Sequence, residues 1–131
     1  MQPIRPRVPA GAARYAALAF GKLASNRLTD WLLTRAQNKQ EAAADREAAL
    51  IRLCLYGATN HLRNLVVLLD DTTPIPFERP RPGKEWRICD RAADTIAGLL
   101  GWRERLRWFT PPQRREALLR QVKEWAKTTP P

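Results

Sequence analysis

Apolar side chains recur at helical spacing along most of the chain, and prolines mark where the spacing stops. Residues 1–9 hold three prolines and two arginines, so they read as an extended arm. From Ala10 to Ala24, Tyr15, Leu18, Ala19 and Lys22 fall at i, i+3, i+4 and i+7, with Phe20 and Leu23 widening the apolar side. After a cap at Ser25 or Asn26, Leu28, Trp31, Leu32 and Arg35 repeat that spacing. The longest signal runs from Asn38 to Asp71. There Leu50, Leu53, Cys54, Gly57, Ala58, His61, Leu62, Leu65 and Leu69 form one stripe, and Ile51, Leu55, Val66 and Leu68 broaden it toward all-round burial. This pattern predicts the central helix of the fold. Gly57 inside it costs about 1 kcal/mol relative to Ala, which points to a close helix crossing or a local break.

The composition then changes. Four prolines and a glycine fall between residues 74 and 83, so a Pro-rich loop is expected over 72–84, with Arg79, Arg81 and Lys84 at its tip. Loops of that length are often functional. Helix resumes at Lys84 or Glu85 with Trp86, Cys89, Ala93, Ile96, Ala97 and Leu100 on its apolar face, and Gly101 stands where a glycine cap belongs. Over 102–109, Trp102, Leu106 and Phe109 suit one face of a helix. As a strand, Arg103, Arg105 and Arg107 would line one side, but no partner strand is signalled and helix is preferred. Thr110, followed by Pro111 at the first helical position and Gln113, opens the last helix, whose stripe is Leu118, Leu119, Val122 and Trp125.

The pattern predicts an all-α fold: a bundle of five to six helices without a sheet, in one domain over 10–131. Leu53, Leu62, Leu65, Ile96, Leu118 and Trp125 are expected in the core. Trp31, Trp86, Trp102 and Trp125 lie on apolar stripes, whereas Trp108 falls off its stripe and is expected to be exposed.

Charge changes the picture. The chain of 131 residues carries a formal net charge of +10, with a pI near 10.8. Residues 1–70 hold ten basic and five acidic side chains, and 71–131 hold thirteen and eight, so the folded body itself is expected to be basic. Most of the basic residues are arginine, whose planar fork donates bidentately to phosphate and stacks on bases. Between 102 and 123 seven basic residues face two acidic ones, Glu104 and Glu116, which concentrates half the excess there. That clustering points to polyanion contact. Arg103, Arg105, Arg107, Trp108, Arg114, Arg115, Arg120 and Lys123 are the candidate nucleic-acid-binding residues, with Arg79, Arg81 and Lys84 on the loop. A helix-turn-helix reading is disfavoured, because Pro111 and Pro112 occupy the helix start where base-edge contacts would lie.

Catalytic signatures are missing. The sequence has no phosphate-cradling glycine loop, no nucleophile elbow and no Cys/His ligand cluster, so no catalytic residue, metal or cofactor is expected. His61, the one histidine, reads as a core residue. Asp90 and Asp94 stand one helical turn apart and read as surface ion-pair partners of Arg87 and Arg91. Asp70 and Asp71 at a helix C-terminus read as turn formers. Two cysteines, no signal-like apolar run and no long apolar stretch point to a cytoplasmic protein with reduced thiols and no membrane contact.

In size, charge and helicity, over most of its length, the chain resembles the small subunits of CRISPR effector complexes. The resemblance implies a non-catalytic helical bundle in an antiviral nucleoprotein assembly, bound to other protein subunits and to the nucleic-acid backbone. It implies backbone contacts by Arg103, Arg107, Arg114, Arg115 and Arg120, with RNA or DNA left open. The alternative is an adaptor or inhibitor that turns the Arg-rich face to an acidic protein.

Overall fold

Asp90 and Gly101 set the two ends of the helix around which the other described elements pack. The computed structural model describes residues 26–76, 85–107 and 109–128. The expected arm, the expected helix over 10–24, Arg79, Arg81, Lys84 and Trp108 lie outside the described residues. Among the described residues the fold is all-α with one two-residue antiparallel ladder. In chain order the elements are α1 (Asn26–Gln37), α2 (Ala43–Leu55), α3 (Leu62–Val66), β1 (Pro74–Ile75), β2 (Trp86–Arg87), α4 (Ile88–Leu100) and α5 (Pro112–Thr128). Short 3-10 turns at Thr59–His61 and Val67–Asp70 flank α3.

The Asp90 carboxylate accepts the Arg87 backbone N–H at 2.9 Å, reaching back from the first turn of α4 as in a capping box. Two further free donors of that first turn are used by the ladder region: Ile88 N–H donates to Thr73 O at 2.9 Å and Cys89 N–H to Asp71 O at 2.8 Å. At the other end Gly101 has φ 76°. Its N–H bonds Gly98 O and the Trp102 N–H bonds Ala97 O, a Schellman cap. Nine of the thirteen residues of α4 are buried. Small Ala92, Ala93 and Ala97 let neighbours approach, and α2, α3, α5 and the Val67–Asp70 turn all pack on it. A Cβ added at Gly98 would lie 2.5 Å from Cys54 Sγ and 2.7 Å from Arg105 Cζ, so α4 is closely approached at Gly98.

The expected central helix over 38–71 is divided. Gly57 has φ 63°. Its N–H bonds Cys54 O and the Ala58 N–H bonds Leu53 O, the same cap that ends α4. Of the two readings open for Gly57, the local break holds, and α4 takes the central place. The break lets α3 turn back onto α4. The sheet-free expectation is also corrected: Ile75 pairs with Trp86 and Pro74 with Arg87 across the base of the Pro-rich loop.

Leu53, Leu65, Ile96 and Leu118 are buried, and Leu62 and Trp125 are half-buried against them. Trp86 is buried and Trp102 half-buried, but Trp31 is exposed with the Arg35 guanidinium 5.1 Å from its ring centroid. The apolar stripe of α1 is set by Leu32, Leu33 and Ala36 instead. His61 is buried, with Nε2 3.0 Å from Asp30 Oδ1 in a close but poorly aligned contact.

Arg46 is 1% exposed. Its Nε donates to Ala36 O at 2.9 Å, satisfying a carbonyl in the last turn of α1, and its Nη2 donates to the Asp71 carboxylate. Asp71 also accepts the Thr73 backbone N–H at 3.0 Å and the Thr73 hydroxyl, so its turn-forming role is as expected. Burial alone pushes the Asp71 carboxyl up, but the bonds from Thr73 and Arg46 outweigh it and hold the group below its ordinary value of 3.8. A depressed carboxylate contributes stability above its unfolded value and loses it as pH falls through its folded value. The melting temperature of the wild-type protein is therefore expected to drop below about pH 4. Asp71→Asn should flatten that drop; an unchanged acid limb in the variant would remove Asp71 from the account.

Candidate functional site

Two buried carboxylates organise the arginines. Asp90 is 0% exposed and Asp94 3%, so the surface-pair expectation for them is corrected: they lie inside, one turn apart, each between two guanidinium groups. Arg87 Nη2 lies 3.1 Å from Asp90 and also bonds Glu116, while Arg115 Nη1 lies 3.5 Å from Asp90 and donates to Glu85 O. Asp94 takes Arg91 at 3.1 Å and Arg105 at 2.9 Å. Arg91 also bonds Glu47 at 3.1 Å and sits 4.6 Å over the Trp86 ring. The Asp90 bond holds Arg87 well above the usual arginine range, and the Asp94 bond raises Arg105. These side chains stay charged and are neutralised within the fold.

Asp94 also shapes the segment after α4. Its Oδ1 accepts the Leu106 backbone N–H at 2.7 Å, while the Leu106 side chain is buried. The Thr110 hydroxyl accepts the Arg107 N–H at 2.7 Å. The described residues 102–107 and 109–111 accordingly run irregularly, and the helix expected over 102–109 does not form among them. Local spacing favoured it, but the long-range bond from Leu106 to Asp94 holds the backbone away from a helical ladder. The last helix begins at Pro112, one residue later than expected, with Pro111 O accepting the Arg114 and Arg115 N–H groups at 3.0 and 3.1 Å.

Between this segment and the start of α5 lies a cleft of about 630 Å³. Arg103, Arg105, Arg107 and Arg114 line it with one acidic residue, Glu104. Leu106, Ala117 and Leu118 give it an apolar floor, and Phe109, 54% exposed, stands on its wall. Arg103, Arg107 and Arg114 are exposed and make no ion pair with a carboxylate among the described residues.

The other candidates are distributed differently. Arg105 lines the cleft but is held by Asp94, and its Nη2 lies 3.6 Å from Cys54 Sγ. Arg115 is 6% exposed. The expectation that it reaches an outside phosphate is corrected, because its position on the stripe with Leu118, Leu119 and Val122 turns it inward to Asp90. Arg120 is exposed on α5 outside the cleft, and Lys123 lies 3.3 Å from Asp70. Sequence reasoning missed Phe109 as the exposed ring and Arg46 as a buried clamp. Arg46 carries a visible signal, since with Ala49, Leu50 and Leu53 it follows i, i+3, i+4, i+7.

Among the described residues no group of three or more His, Cys, Asp or Glu is placed to hold a metal ion, and no helix is long and apolar enough to cross a membrane. Cys89 is buried, and burial, with Asp90 adding to it, pushes its thiol up to about 11. Cys54 is partly exposed. A thiol reagent at pH 8 is expected to modify one equivalent, at Cys54, in the native protein and two after denaturation; equal native rates at both would contradict the placement of Cys89. No family model, curated protein or solved structure matches the chain.

Proposed function

We propose that the protein is a non-catalytic, cytoplasmic nucleic-acid-binding subunit or accessory of a larger nucleoprotein assembly, of the kind represented by the small subunits of CRISPR effector complexes. It contacts the phosphate backbone and does not read sequence. The observation that carries this reading is the partition of the arginines. The fold neutralises Arg46, Arg87, Arg91, Arg105 and Arg115 against its own carboxylates, yet leaves Arg103, Arg107 and Arg114 exposed together on one cleft. Like charges lining one cleft raise its positive potential, which favours an outside polyanion.

Salt titration of oligonucleotide binding tests it. Three neutralised phosphates give a slope of log K against log salt of about −2 on a single strand and about −2.7 on duplex DNA. The rival reading is an adaptor that docks on an acidic protein. No binding to any oligonucleotide at low salt would select the adaptor.

A further inference from the structure

We infer that the cleft lined by residues 103–107 and 109–111 on one side and α5 on the other admits an unpaired nucleobase, so that the protein selects single-stranded over duplex nucleic acid; this rests on the phosphate-contact reading above. Shape argues first. The site is concave, with a volume of about 630 Å³, within the range of roughly 300–1,000 Å³ typical of sites that enclose one small ligand unit. A duplex offers phosphates on a convex rod and keeps its bases stacked inside, so it can touch the rim but cannot fill the interior. An unpaired nucleotide can turn its base in and leave its phosphate at the mouth.

The lining divides the same way. Arg103, Arg107 and Arg114 supply the positive charge, while Leu106 and Leu118 offer an apolar floor that suits a base and not a phosphate. Glu104 is acidic, so it opposes a phosphate inside the cleft and suits a base edge that carries an amino group. Phe109, 54% exposed, lines the same cleft. An aromatic face beside arginines is the arrangement on which single-strand binders stack bases without regard to sequence.

The test compares a mixed-sequence 12-nucleotide single strand with the blunt duplex of the same length, by fluorescence anisotropy at equal salt, using the full chain and its Phe109→Ala and Phe109→Trp variants. The expected result is at least roughly tenfold tighter binding of the single strand. Phe109→Ala should weaken single-strand binding by about tenfold, within the range for loss of one base–aromatic stack. The salt slope should stay unchanged, because the arginines still neutralise the same phosphates, and Phe109→Trp should retain affinity. Phe109 is exposed, so the variants are expected to fold; the wild-type comparison of strands decides the matter even for a variant that does not. Equal binding of both strands, or an equal loss on both with Phe109→Ala, overturns base entry and leaves the phosphate reading standing. Absence of oligonucleotide binding by the wild-type protein, or binding without salt dependence, overturns both.

Discussion

Replacing Arg46 by Ala is expected to lower the unfolding free energy by about 3–5 kcal/mol, the usual cost of removing one partner from a buried ion pair. The loss has two parts. The Asp71 carboxylate, 6% exposed in its side chain, keeps Thr73 but loses its guanidinium. Ala36 O, which Arg46 Nε serves at the end of α1, is left inside without that donor. One side chain thus closes α1, holds α2 and fixes the turn that feeds β1. Arg46→Lys should fall between wild type and Ala, since one ammonium cannot span both acceptors as the planar fork does. A domain of this size has about 5–15 kcal/mol in total, so the Ala variant should denature at far lower urea concentration. Circular dichroism against urea reads the effect, and a change under about 1 kcal/mol would show that the buried clamp is not what holds these three segments. Asp71→Asn combined with Arg46→Ala should cost less than the sum of the two alone, because both remove the same interaction.

The triple variant Arg103→Ala, Arg107→Ala, Arg114→Ala is expected to remove most oligonucleotide affinity and flatten the salt slope by about 0.7 on a single strand, or about 0.9 on duplex DNA, for each phosphate that is no longer neutralised. Its melting temperature should stay near the wild-type value, since exposed substitutions typically cost within about 0.5 kcal/mol each. Arg105 and Arg115 are left in place deliberately. Removing either strips a guanidinium from a buried aspartate, and the resulting instability would be mistaken for a binding defect. Arg115→Ala on its own should be strongly destabilising. Replacing the same three cleft residues by Glu should weaken binding further through repulsion. Unchanged affinity and slope in a folded triple variant would move any nucleic-acid interaction away from the cleft.

The helical pattern located α1, α4 and α5 because each turns residues at i, i+3, i+4 and i+7 into the fold, although in α1 that stripe is Thr29, Leu32, Leu33 and Ala36 and not the one through Trp31. It joined α2 to α3 because apolar residues continue on both sides of Gly57, and nothing local marks that glycine as a cap. Gly101 was legible only because its helical stripe ends there. The segment 102–109 misled for the opposite reason: Trp102, Leu106 and Phe109 are spaced for a helix, while the bond that decides its path comes from Asp94, twelve residues before Leu106. The site was legible as a stretch of basic residues but not as a cleft. Charge counting treats every arginine as facing water, and it cannot tell Arg114 from Arg115. The distinction was present in the stripes, where Arg46, Asp90, Asp94 and Arg115 occupy positions otherwise taken by Ala, Leu or Val.

Asp94 makes the cleft depend on the packing of α4 against α2. Residues 103–107 belong to no helix or ladder, and their course is set by the bonds of Leu106 and Arg105 to that one carboxylate. Asp94 is itself in place only once α4 has docked against α2, where Thr95 bonds Leu50 O and Arg91 bonds Glu47. The cleft therefore depends on that docking, and a local loosening at Asp94 would erase it. Helical content and cleft shape are separately adjustable in this chain: a change at Asp94 can leave the α2–α4 framework assembled while the surface it carries has lost its hollow.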